Sequence, residues 1–133
     1  MPAVLRLIAR VPQRIRWLAV LGWMGVQFAF SAMPGSAVPG RFAWLGHFLT
    51  YAVLGALVWV ALYPRKHAHT ALAVAVLVSS AYGVSDEIHQ AFVPGRTPDV
   101  VDWGVDTLGA LVGATVVWLA TRTKGARRRP SAD

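Results

Sequence analysis

Residues 70–85 read TALAVAVLVSSAYGVS. The stretch carries no charged residue and no continuous polar stripe, so a helix built from it has no face to turn to water. A soluble helical bundle is therefore disfavoured, and a helix surrounded by other helices and lipid is expected. It runs on into the amphipathic DEIHQAFV, residues 86–93, and meets turn signals on both sides: PRKHAHT at 64–70 and VPGRTPD at 93–99.

Outward from that helix the rest of the chain has the same character. Its 133 residues are 56% hydrophobic and only 14% charged, with a mean hydropathy of +0.49. Apolar runs at Trp17–Met33, Ala43–Tyr63 and Val100–Ala120 flank the run at Ala71–Ser85. Each is about the length a bilayer core of ~30 Å demands, roughly 20 residues. Short proline-containing connections make sequential helices antiparallel neighbours. The predicted fold class is all-α, a four-helix transmembrane bundle. Residues 1–16 form a basic cytoplasmic segment, 17–121 the membrane domain, and 122–133 a basic, unstructured tail. The first run, with its basic flank, also resembles a signal peptide, but PGSAVPG offers no clear A-x-A cleavage site, so retention of the helix is expected.

Charge sets the orientation. The net charge of +7 is not a nucleic-acid signature, because eleven of the thirteen basic residues flank apolar runs on one side of the expected topology. Arg6, Arg10, Arg14 and Arg16 precede the first run, Arg65 and Lys66 follow the second, and Arg122, Lys124 and Arg127–Arg129 follow the fourth. Arg41 and Arg96 lie opposite. Both termini are expected in the cytoplasm of a cell whose inner membrane the chain crosses several times, with membrane lipids as partners and no nucleic acid.

Five of the six carboxylates fall between Asp86 and Asp106, at the outer ends of the last two helices in that topology. At 100° per residue Tyr82, Asp86, His89 and Gln90 share a face with Glu87 on its flank, while Asp102 and Asp106 share a face with Gly109 and Gly113. His47, Tyr51 and Gly55 repeat at the same spacing. Asp106 lies about 6 Å deeper than Asp102, and a charge there must face partners or water rather than lipid. GALVG, a G-x-x-x-G pattern, lets that helix approach a neighbour closely. Asp99 follows a proline and is placed to cap the last helix.

The residue types leave two chemistries open. Glu87, His89, Asp86 and Asp102 are the candidate catalytic residues, with Glu87 and His89 suited to acid/base transfer. His47, Tyr51, Gln90, Arg96 and Asp106 are candidate binding residues, Arg96 for an anion. The histidines and carboxylates also offer nitrogen and oxygen to a metal, but no helix carries a ligand pair at a diagnostic spacing, so no metal is assigned and the cofactor is unknown. Cysteine is absent, as are a nucleophile elbow and a Walker loop.

DEIHQAFVPGR at 86–96 followed by VDWGVDTLGALVG at 101–113, with HFLTYAVLGAL at 47–57, closely resembles the VanZ-like family of membrane proteins. The resemblance implies weight for His47, Tyr51, Asp86, Glu87, His89, Gln90, Arg96, Asp102, Thr107 and Gly109. Asp106 departs from it, standing where asparagine is common, and Ala43-Trp44 replace an acidic-basic pair. The family is similar to a protein linked with low-level resistance to the glycopeptide teicoplanin. The expected function is an outward polar site that binds or modifies an envelope lipid, cell-wall precursor or lipophilic glycopeptide. The alternative is a non-catalytic scaffold whose polar cluster only locks the helices.

Overall fold

The computed structural model describes residues 3–37, 40, 43–63 and 67–122. Arg41, Arg65, Lys66, Lys124 and Arg127–Arg129 of the charge pattern, and the tail from residue 123, lie outside the described residues. The described chain is all-helical, without strands: α1 (Ala3–Arg10), α2 (Gln13–Ser31), a single 3-10 turn (Gly35–Ala37), α3 (Ala43–Leu62), α4 (Ala68–Gln90) and α5 (Val100–Arg122).

The helix boundaries depart from the apolar runs where capping chemistry takes over. Pro12, with ψ 138°, lacks an amide hydrogen and bars helical backbone before it, so the basic segment becomes α1 and a break. α2 then starts at Gln13, four residues before the apolar run. α4 ends at Gln90 rather than Val93, because Ala91, Phe92 and Val93 turn their amides back to Glu87, His89 and Gln90 ahead of Pro94. Asp99 Oδ1 accepts the Val101 amide at 2.8 Å and caps α5.

Three helices, α3, α4 and α5, are long and apolar enough to cross a membrane. The fourth expected span, α2, is less apolar than these three, since the helix that forms around the first run takes in Gln13, Arg14 and Arg16 and contains Gln27. Arg16 is buried by donating to the carbonyls at the end of α3, to Val60 at 2.7 Å and to Tyr63, while Gln13 reaches Ala61 at 3.2 Å. The cation satisfies carbonyls that a helix C-terminus leaves open.

The surface polarity is the reverse of a soluble protein's. Leu49, Leu77, Ile88, Leu108 and Val116 are exposed around the outside of the helices, whereas Ser79, Asp86, Glu87 and Asp106 are buried. Ala71, Ala75, Ser79 and Gly83 give α4 a small inward stripe, which allows close packing where lipid supplies no hydrophobic drive between helices.

α3 and α5 run parallel and make the most extensive contact of the fold. Three glycines make it. A Cβ on Gly109 would overlap the Phe48 backbone, one on Gly113 the Ala52 backbone, and one on Gly55 the Ala110 backbone. α4 closes against α5 through Ser80 and Thr107, 2.9 Å apart, and through Trp103 Nε1 on Ser80. α2 is tied on by Trp23 to the Thr50 carbonyl at 2.9 Å and by Tyr82 to the Met24 carbonyl at 2.7 Å. The end of α2, the start of α3, the end of α4 and the start of α5 thereby meet at one end of the molecule.

Candidate functional site

At that end the loop after α4 folds over the helix ends. Gly95 takes φ +73°, a conformation open to glycine, and the Gly35 amide donates to the Pro94 carbonyl at 3.1 Å. No room exists for a side chain on Gly35, because Gly95 lies against it. This clip holds Arg96 above a cavity of about 410 Å³ lined by Gln27, Ser31, His47, Tyr51, Asp86 and Gln90, with Phe30, Met33 and Ala43 among its apolar walls.

The floor of the cavity is polar and largely unsatisfied by protein. Gln27, Ser31, Tyr51 and Asp86 are each more than nine-tenths buried. Both amide atoms of Gln27, the hydroxyls of Ser31 and Tyr51, and Asp86 Oδ1 make no hydrogen bond to the described residues. Asp86 Oδ2 accepts one from Gln90 at 3.2 Å, one helical turn on. The Arg96 amide donates to the Val93 carbonyl at 3.1 Å, and its side chain, which makes no hydrogen bond or ion pair with the described residues, lines this cavity.

Beneath the cavity His47 Nδ1 and Asp106 Oδ1 are 2.9 Å apart, joining α3 to α5. Asp106 is fully buried, as its depth along α5 requires. Its second oxygen has no protein partner and lies toward Gly83, where a Cβ would come within 3.4 Å of it. Glu87 opens onto a different cavity from Asp86 but keeps a carboxylate oxygen within 4.8 Å of donor atoms of His47 and Asp106. Its Oε2 accepts the Asp99 amide at 2.7 Å, and it lines a second cavity of about 470 Å³ with Ile88, Phe92 and Trp103.

The structure therefore groups the sequence candidates unevenly. His47, Tyr51, Asp86, Gln90 and Arg96 line one cavity, with Asp106 bonded behind His47. Adjacent Asp86 and Glu87 open onto different cavities because successive helical residues diverge by 100°. His89 is not brought to a carboxylate: its ring stacks on Phe28 of α2, centroids 4.1 Å apart. The Asp102 carboxylate is half-buried and makes no hydrogen bond or ion pair with the described residues. Gln27 and Ser31 were missed. Their signal was present, since two polar residues four apart in an apolar run share one helix face.

No curated protein and no solved structure matches this chain. The VanZ/LLP1 family model matches residues 6–121, a span that takes in nearly all of α2 to α5 with both cavities. Together with three membrane-length apolar helices, this identifies the chain as a member of the VanZ/LLP1 family of membrane proteins.

Proposed function

We propose that this is a multi-pass inner-membrane protein with both termini in the cytoplasm, and that its outward cavity binds the polar head of an envelope amphiphile. The observation that carries the reading is the set of partnerless polar atoms on Gln27, Ser31, Tyr51 and Asp86 around one cavity. Each buried, unbonded polar group costs about 1–3 kcal/mol, so four converging side chains call for a ligand rich in hydroxyls or for water. Asp86, when ionised, can only accept, Gln27 both donates and accepts, and the two hydroxyls do either. That complement suits a sugar or polyol.

Arg96 at the rim supplies the charge to hold a phosphate or carboxylate, and Phe30, Met33 and Ala43 line an apolar side for a hydrocarbon tail. Envelope lipids, lipid-linked cell-wall precursors and acylated glycopeptides share this combination. A contribution to glycopeptide resistance of the teicoplanin type follows if such a ligand is the precursor or the drug. The orientation rests on the basic flanks, and on the opposite end of the bundle, where Arg122 covers the Trp118 ring at 4.1 Å and Trp59 stacks on Tyr63. Aromatic and cationic side chains of this kind sit well at a bilayer interface. α2 crosses beside α3 with Arg16 at that inner level.

The reading is binding rather than acid/base catalysis, since Glu87 and His89 serve different neighbours. One observation favours a scaffold role for part of the cluster: the His47–Asp106 hydrogen bond links α3 to α5 in the interior. Native mass spectrometry of the protein released from its own membranes tests the proposal. An anionic, hydroxylated adduct on the wild type is expected, diminished in Arg96→Gln and Asp86→Asn at unchanged melting temperature. Equal adducts on all three proteins would refute it, and loss of folding in Asp86→Asn would favour the scaffold.

A further inference from the structure

We infer that His47, Glu87 and Asp106 form a binding site for one divalent transition-metal cation, of the type zinc exemplifies. The three side chains come from α3, α4 and α5, and one donor atom of each lies within 4.8 Å of the other two. Around a tetrahedral metal with bonds of ~2.1 Å, donors lie about 3.4 Å apart, so closure of the widest pair by up to roughly 1.4 Å brings the set to bonding distance. A side-chain rotation covers that.

Two further features direct the set toward a cation. Asp106 Oδ2 and Glu87 Oε1 are buried carboxylate oxygens with no protein partner, on residues more than nine-tenths buried. Their other oxygens are already held, by His47 and by the Asp99 amide respectively, so each residue is oriented by one oxygen and free at the other. For Glu87 the Asp99 amide is the outer support that fixes a metal ligand in place, while His47, holding Asp106 through Nδ1, keeps Nε2 to offer to the ion. Asp86 and Asp102 add negative field nearby, while the described salt bridges offer these acids no cation but His47. One imidazole and two carboxylates are a donor set suited to zinc, manganese or ferrous iron, and poorly suited to the softer cuprous ion.

This inference does not depend on what occupies the cavity beneath Arg96. It concerns Glu87 and Asp106, which lie outside that cavity's lining, and shares only His47 with it.

The test is titration of the detergent-purified, untagged full chain with cobalt(II), followed by its visible ligand-field bands, and with zinc as competitor. One equivalent of cobalt should bind, zinc should displace it, and zinc should raise the melting temperature. Glu87→Gln keeps an amide oxygen for the Asp99 amide and Asp106→Asn keeps an acceptor for His47, so both should fold yet lose the cobalt bands. His69→Asn, at the other end against Trp118, should retain them. Wild type that binds no cobalt or zinc stoichiometrically would overturn the inference, as would full binding by folded Glu87→Gln or loss of binding in His69→Asn.

Discussion

Replacing Gly109 with alanine drives a methyl group into the backbone of α3. The added carbon would sit 3.1 Å from the Phe48 carbonyl carbon and 3.2 Å from its Cα, with the carbonyl oxygen nearer still. Comfortable carbon–carbon contact is about 3.5–4.0 Å, so α3 and α5 must part by roughly 0.5–1 Å. Overpacking of this kind costs about 1–3 kcal/mol. Alanine returns up to ~1 kcal/mol through its better helix propensity, leaving a net loss of about 1–2 kcal/mol. The same separation acts on the site, because His47 precedes Phe48 and its 2.9 Å bond to Asp106 spans this seam; an added ~1 Å takes it outside hydrogen-bonding range. Thermal unfolding in detergent measures the stability, with Gly104→Ala as control, since a Cβ on Gly104 meets nothing within 4 Å. Gly109→Ala should melt below the wild type, Gly113→Ala lower still, and Gly104→Ala at or above it. A Gly109→Ala protein as stable as Gly104→Ala would refute the close-packed seam.

Other perturbations probe separate contacts. Tyr82→Phe removes the hydroxyl that donates to the Met24 carbonyl at 2.7 Å and should cost about 1 kcal/mol, read as an earlier denaturation midpoint. Asp106→Ala leaves His47 without its partner in the interior and should cost about 3 kcal/mol or more, well above the effect of Asp102→Ala, measured in the same melts. Single cysteines at Ser36→Cys and Thr97→Cys should react with an impermeant thiol reagent in intact cells, while Ser131→Cys should not; labelling of Ser131→Cys in unbroken cells would invert the topology and move the cavity to the cytoplasm.

The helices α3 and α5 were legible because their apolar runs begin at a loop and at a capping aspartate, and Val100 starts α5 as the sequence indicates. The glycine seam was legible too, from the register of Gly109 and Gly113 under the acids. The start of α2 was not. Arg14 and Arg16 read as a flank, and only the tertiary fold supplies the α3 carbonyls that let Arg16 be buried within a helix. Helical periodicity put His89 on the face of Asp86 but could not see Phe28 waiting for its ring. Likewise the nearness of His47, Glu87 and Asp106 is a property of three helices packed together, and local spacing within each holds no trace of it.

The proposed binding mode places an amphiphile's polar head in the cavity between Tyr51 and Arg96. A structure determined by electron cryomicroscopy from native bilayer discs, made larger by a rigid antibody fragment, tests it most directly. Non-protein density is expected with a hydrophilic end against Gln27, Ser31, Tyr51 and Asp86, an anionic group at Arg96 and a tail leaving past Phe30. A closed cavity in which Gln27, Tyr51 and Asp86 bond to one another, with Arg96 turned away to solvent, would contradict it.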